Sequence, residues 1–308
     1  MSSHGGRRQA VALDEDTLRN WPLPMPGRDG DKEERGRVLV IGGCHQMPGA
    51  AILSATSAFR AGAGKVTVAT GRSIAQLVAL AMPEARVIAL PETGDGMMGA
   101  NATGVLEPVI GSFDAILIGP GMQHEDGVCA LVRGLLPLVH DAAIVLDAYA
   151  MGVVRSSGEA PAFHPAMRVL LTPHAGEMAH LTGIEKQRVL DDPDSAARAY
   201  AQRWNALVAL KGAITHIAAP DGRTWRNDCG NVGLATSGSG DTLAGIIAGL
   251  AARGAPLEQA AAWGVALHSR AGVRLAQRLG TLGYLAREIP GEIPALMHEF
   301  SPAHTAYE

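Results

Sequence analysis

A three-layer α/β/α fold around a central, mainly parallel sheet is what this sequence predicts, and three observations predict it. Short β-branched runs recur along the chain, Ala- and Leu-rich helical patterns fill most of the intervals between them, and glycines gather where the apolar runs end. Strand–helix alternation of this kind requires crossovers that cover both faces of a parallel sheet. With 47% hydrophobic and 18% charged residues over 308 positions, the chain can fill one large core.

Residues 1–36 are polar, with prolines at 22, 24 and 26 and a charged run over 29–35. They are expected as an arm leading into a single domain over 37–300, with 301–308 as a tail. VLVIG (38–42), KVTVAT (65–70), RVIAL (86–90), DAILIG (114–119), AAIVLD (142–147), RVLLT (168–172) and ALVALKG (206–212) read as buried strands. Helical patterns lie at 49–61, 73–82, 126–139, 175–182 and 193–204. The stretch THIAAPDGRTWRND (215–228) breaks the rhythm as a hairpin turning at Asp221-Gly222. Apolar helices follow at 240–253 and 257–277, and a last one at 283–298.

Several classes of partner are excluded. The net charge of −4, without a Lys/Arg block, speaks against nucleic acid and anionic membrane surfaces. Aromatic residues make up only 4% of the chain, which leaves little material for stacking bases. Cys44, Cys129 and Cys229 are odd in number and far apart, so they suggest neither a disulfide framework nor a metal site. The first residues lack the apolar core of a signal peptide, and no run approaches the ~18 apolar residues of a membrane span. A cytoplasmic protein is expected.

In open α/β sheets ligands bind outside the carboxyl ends of the strands, so the strand-end loops carry the chemistry. The strongest is TSGSGDTLAGIIAGLAARG, from Thr236. Gly238, Ser239 and Gly240 precede an apolar helix, where unpaired N–H groups and the helix dipole form an anion site. Asp241 in the first turn is either an N-cap or a general base that takes a proton from a hydroxyl while the anion site holds a phosphate. No Lys follows the last glycine, so this is not a P-loop. At the first strand end, Gly49, Ala50 and Ala51 open a helix with almost no side chain, which lets a ring or sugar lie against it or the helix pack closely on the sheet. In TPHAGE (172–177), His174 and Glu177 are three apart and share a helix face. They form either a surface pair or a site in which His174 binds substrate and Glu177 holds a hydrated Mg²⁺. Lys211, in LKGAIT (210–215), suits either solvent or a nucleotide edge, and IGPGM (118–122) and LDAYAM (146–151) complete the rim. Asp147 ends its strand, as a catalytic or metal-binding residue or a loop cap would.

In this order, GRVLVIGG with MPGAA, RAGAGKVTVAT, IGPGM, LDAYA, TPHAGE, LKGAIT, NDCGN and SGSGDTLAGIIAGLAARG resemble the ADP-dependent NAD(P)H-hydrate dehydratases of the ribokinase-like superfamily. The resemblance runs from about Arg37 to Leu296. It implies a ribokinase-like fold and an unusual dehydration: the hydroxyl that water has added to the nicotinamide ring of NADH or NADPH is phosphorylated by ADP, and phosphate then leaves. It further implies that Ala50 or Ala51, Gly121, His174 and Asp241 contact the hydrate, with Asp241 as base. Lys211, Gly212, Ala213, Ile214 and Thr215 would hold AMP with Gly240 at its phosphate, Mg²⁺ would assist near Glu177, and the enzyme would be a homo-oligomer. The sequence departs from the family at Ser237, where glycine is common, and at Tyr149, where an Asp-Ala-Leu pattern is usual. The competing expectation is a kinase of the same superfamily acting on a vitamin-precursor alcohol, which needs the same anion site and base.

Overall fold

The computed structural model describes residues 9–27, 31–156, 158 and 161–300; the expected tail at 301–308, residues 1–8, and residues 28–30 at the start of the charged run lie outside them. The elements in chain order are β1 (Val11–Ala12), α1 (Glu15–Asn20), β2 (Arg37–Ile41), α2 (Pro48–Arg60), β3 (Lys65–Gly71), α3 (Arg72–Ala81), β4 (Arg86–Leu90), α4 (Thr103–Ile110), β5 (Ala115–Ile118), α5 (Glu125–Leu135), β6 (Ala143–Leu146), β7 (Arg168–Leu171), α6 (Ala175–Thr182), α7 (Lys186–Asp191), α8 (Pro193–Trp204), β8 (Leu207–Leu210), β9 (Thr215–Ala218), β10 (Thr224–Asn227), α9 (Ser239–Ala252), α10 (Leu257–Leu279) and α11 (Ile289–Phe300). They form one sheet in the order β1-β10-β9-β8-β7-β6-β5-β2-β3-β4. Pairing is parallel except on either side of β9, which runs antiparallel to β8 and β10 as the expected hairpin requires.

The apolar strands are buried because each feeds two cores. Val38 and Val40 of β2 face one cluster, with α2, α9 and α10, while Leu39 and Ile41 face the other, with α4, α5, α6 and α8. This is the period of two of a strand covered on both faces. At the sheet edge, β4 is buried only at Leu90. The expected strands and the helices at 49–61, 73–82, 175–182 and 193–204 are present to within a residue or two at each end.

Three segments differ from expectation. The last helix starts at Ile289 rather than 283, because Gly283 takes a φ of 101° and the Glu288 carboxylate caps the Leu285 N–H. The helix expected over 126–139 ends at Leu135 and tightens into a 3₁₀ turn carrying Pro137, which has no N–H to donate. The stretch expected as an arm is, over residues 9–27, part of the body. There β1 extends the sheet beside β10, Trp21 stacks on Trp225, and the Trp21 carbonyl accepts from Trp263 Nε1 and Gln259 Nε2. Leu13 and Leu18 supply buried side chains, which a polar segment rich in proline did not advertise.

Among the described helices α9 is the most enclosed: twelve of its fourteen residues are buried. It lies against α2 at backbone contact, since a Cβ on Gly245 would collide with the Ser54 carbonyl and one on Gly249 would meet the Ala58 carbonyl at 2.5 Å. Gly245→Ala is therefore expected to force the helices apart and destabilise the fold by about 1–3 kcal/mol, the usual cost of overpacking. A melting temperature equal to that of the unmodified protein would show that the contact is not tight.

Candidate active site

The sheet reverses its winding between β2 and β5. From β2 the chain moves outward to β3 and β4, and from β5 it moves the other way through β6, β7 and β8. The crevice beyond such a reversal is the natural ligand site of an open α/β sheet. Two glycine-containing loops meet there. The Gly43 N–H donates to the Pro120 carbonyl at 2.7 Å. Gly121, at φ 67°, approaches α2 so closely that an added Cβ would lie 2.6 Å from the Ala50 Cβ. Ala50 and Gly121 thus share one wall. Ala51 does not: it is fully buried in the core, and its small size serves packing rather than a ligand.

The second wall is the start of α6. His174 is its N-cap, and His174 Nδ1 accepts from the N–H groups of Gly176 (3.0 Å) and Glu177 (3.1 Å), while Glu177 Oε2 accepts the His174 N–H at 2.8 Å. This is a capping box made with an imidazole. Because Nδ1 accepts, the ring proton resides on Nε2. The ring is more than half exposed, and its Nε2 lies 3.7 Å from Glu177 Oε2 on the open side of the crevice wall. The pair is therefore structural and available at once.

The third wall is the start of α9. Gly238, at φ 87°, occupies the N-cap, so Asp241 does not cap the helix. The Ser239 N–H donates to the Thr236 carbonyl at 3.2 Å, and the Ser239 hydroxyl lies 3.0 Å from His268 Nε2, away from the helix opening. The expected anion site is accordingly narrower than Gly238–Gly240: Ser239 is committed, and the unpaired first-turn donors are the N–H groups of Gly240 and Asp241. The Ser54 hydroxyl ties the Asp241 carbonyl to α2 at 2.9 Å.

Of the six residues expected at the nucleotide, Gly240 lies in the first turn of α9, and the five of 211–215 differ in placement. Gly212, Ala213 and Ile214 form the exposed turn between β8 and β9, whereas Thr215 is buried as the first residue of β9. Lys211 turns inward: its N–H donates to the Pro173 carbonyl at 2.7 Å, and its ammonium lies 3.3 Å from Asp147 Oδ1 and 3.8 Å from Glu177 Oε2. A Cβ on Gly240 would come within 3.3 Å of Lys211 Nζ, so the ammonium faces the open end of α9. Burial lowers the Lys211 pKa, but Asp147, Glu177 and Asp241 outweigh it and hold it above the ordinary value.

Three carboxylates thus surround one ammonium. Burial, then the charge of Asp147 and more weakly that of Glu177, pushes Asp241 up to about 6, with Lys211 pulling the other way. Among the described residues no group of three or more His, Cys, Asp or Glu side chains is placed to hold a metal ion. A hydrated Mg²⁺ asks less of the protein, one or two carboxylates plus water and phosphate oxygens. Glu177 fits that part, and the local excess of negative charge favours a cation.

Two features escaped the sequence reading. His268, buried in α10, bonds to Ser239 through both its hydroxyl (3.0 Å) and its carbonyl (3.1 Å). Burial, with help from Lys211 and against the Ser239 contact, pulls His268 down to about 4. Its place at the end of the apolar run AAAWGVAL of α10 was its only signal. The other feature is the bond from Thr172 Oγ1 to Asp147 Oδ1, at 2.6 Å between the residues that directly follow the adjacent strands β7 and β6.

A mainly parallel sheet with one antiparallel hairpin, helices on both faces and a helix start with unpaired N–H groups beside a carboxylate define a ribokinase-like nucleotide enzyme. Its relatives are specific. Residues 38–295 match the family model described as NAD(P)H-hydrate dehydratase. The chain is 47% identical over 280 residues, covering 91% of itself and 93% of its relative, to an ADP-dependent (S)-NAD(P)H-hydrate dehydratase of Xanthomonas campestris. It is 39% identical to the bifunctional NAD(P)H-hydrate repair enzyme of Moorella thermoacetica, covering 89% of itself but only 52% of that longer protein. Its structure aligns over 95% of the chain, with a TM-score of 0.83 and 28% identity, to 99% of the ADP/ATP-dependent NAD(P)H-hydrate dehydratase of Bacillus subtilis co-crystallised with ATP and Mg²⁺. The chain belongs to the NAD(P)H-hydrate dehydratase family.

The raised pKa of Asp241 has a consequence for stability. Its value of about 6 exceeds the ordinary 3.8, so folding favours the protonated carboxyl and disfavours the carboxylate. The stabilising effect is complete below about pH 4 and is lost as the pH rises through 6. Asp241→Asn, which carries no charge, is expected to melt higher than the unmodified protein near pH 8, with the gap closing as the pH falls to 4. A gap that does not change with pH would contradict this.

Proposed function

We propose that this protein dehydrates the S epimer of NADH hydrate or NADPH hydrate, consuming ADP and releasing AMP and phosphate. It would thus be a lyase, built on a kinase fold, that repairs nicotinamide nucleotides. The single observation that carries the reading is Asp241, half-buried in the first turn of α9, beside free N–H donors and Lys211. Hydroxide is a poor leaving group and phosphate a good one. In the step proposed, Asp241 accepts the proton of the ring hydroxyl while that oxygen attacks the terminal phosphorus of ADP and AMP departs. The lone pair of the ring nitrogen then expels the phosphorylated oxygen, and loss of a proton from the neighbouring carbon restores the ring double bond. The N–H groups of Gly240 and Asp241, with Lys211, stabilise the charge on the phosphoryl group in flight. Mg²⁺ near Glu177 would neutralise phosphate charge and order the oxygens around it.

The remaining roles follow from the walls of the crevice. Ala50 and Gly121 leave room for the hydrate, and His174 Nε2–H donates to it. The turn at Gly212–Ile214 borders AMP, and Thr215 supports that turn from β9. The domain is taken to span 37–300, with residues 9–27 packed onto it. A homo-oligomer, supported by the resemblance, and a cytoplasmic location, supported by the sequence composition, are part of the same reading; among the described residues no helix is long and apolar enough to cross a membrane. The dehydratase names of the relatives favour this reaction over a vitamin-precursor kinase.

Asp241→Asn tests the reading. Turnover of the hydrate with ADP is expected to fall by roughly 10²–10⁴-fold, the worth of a positioned acid–base group, with AMP affinity changed by no more than a few-fold. In the unmodified enzyme the acid limb of the rate profile should fall below about pH 6, where Asp241 protonates. Near-normal turnover by the variant would remove Asp241 from the chemistry.

A further inference from the structure

The residue that sets the ammonium in front of α9 is not itself at the helix. Asp147, at the end of β6, is 3% exposed, and Thr172, one strand over, is 1% exposed. The Thr172 hydroxyl donates to Asp147 Oδ1 at 2.6 Å, and that same oxygen accepts from Lys211 Nζ at 3.3 Å. The backbone keeps the carboxylate in place as well. The Asp147 N–H donates to the Ile118 carbonyl at 3.0 Å, and Ala148 takes a left-handed φ of 48°, which an L-residue adopts only when its surroundings demand it. Lys211 has other options, since Glu177 Oε2 is only 3.8 Å from its ammonium and the Asp241 carboxylate also acts on its charge. A long, flexible side chain among three carboxylates needs something to choose its position, and the rigid partner is the one locked by a second strand.

We propose that Asp147, clamped by Thr172, is a positioning residue. It holds the Lys211 ammonium against the Gly240 end of α9, where it meets the phosphates of a nucleoside diphosphate, and keeps it from closing onto Asp241. This rests on the ADP-binding reading above. The alternative is that Asp147 acts only as a negative charge, which would repel phosphate and weaken binding whatever Lys211 does. The two give opposite signs for the loss of that charge.

The experiment is calorimetric titration of ADP, at fixed Mg²⁺, into the resting protein and the variants Asp147→Asn, Lys211→Met and the two combined. Thr172→Val serves as a second, gentler variant that keeps the Asp147 charge, and melting temperatures establish that each protein is folded. Asp147→Asn is expected to weaken ADP binding by roughly tenfold, the scale of a lost charge-assisted contact. Thr172→Val should weaken it by a few-fold in the same direction. With Lys211→Met already present, Asp147→Asn should weaken binding no further, the non-additivity of residues that act through one another. Equal weakening in both backgrounds, or tighter ADP binding by Asp147→Asn alone, would overturn the proposal. The readout is binding rather than turnover, so its failure is distinguishable from failure of the reaction proposed for the site.

Discussion

Everything in the site depends on how deeply α9 is set into the molecule. Its start must lie at the mouth of the crevice while its body passes through the core, and that requires α2 to approach it at backbone distance. Gly245 and Gly249 allow that approach, and Ser54 fastens α2 to the Asp241 carbonyl. The same depth removes Asp241 from water and raises its pKa, so a packing constraint of the fold becomes an acid–base property of the site. Ser239 and His268 complete the anchorage from the far side. By engaging the Ser239 side chain and carbonyl, His268 fixes the first turn and leaves Gly240 and Asp241 as the donors that face outward.

Charge is the second constraint. Three carboxylates around one ammonium make an electrostatically unfavourable cluster until something positive joins it, and burial makes the imbalance costlier. A site that receives Mg²⁺ with a nucleotide is relieved of that cost on binding. Burial first, and this imbalance second, push the Asp241 carboxyl up to about 6, above the ordinary carboxylate range. The cost of that imbalance to stability is concentrated in Asp241.

Much of the fold was legible because its signals are local. Continuous apolar runs such as VLVI and AILI mark strands buried on both faces, and the Asp221-Gly222 turn marks the hairpin. The strand-end loops then located the crevice. What the sequence did not disclose depends on long-range geometry. That Ala51 joins the core cluster while Ala50 meets Gly121 is decided by the rotation of α2 on the sheet. The inward turn of Lys211 and its bond to Asp147 join residues 64 positions apart, and the bond from Thr172 crosses 25. The docking of residues 9–27 was hidden for another reason: Trp21 and three leucines are dispersed among polar residues, and their apolar surface has meaning only against β10, α10 and α11.

In the reaction proposed for this site the ring hydroxyl leaves as part of phosphate. The most direct measurement is to supply NADH hydrate carrying ¹⁸O in its ring hydroxyl, together with unlabelled ADP, and to analyse the products of a single turnover by mass spectrometry. One ¹⁸O atom is expected in the released inorganic phosphate and none in AMP or water. Recovery of the label in water, with ADP hydrolysed alongside, would mean that the oxygen was never phosphorylated and would contradict it.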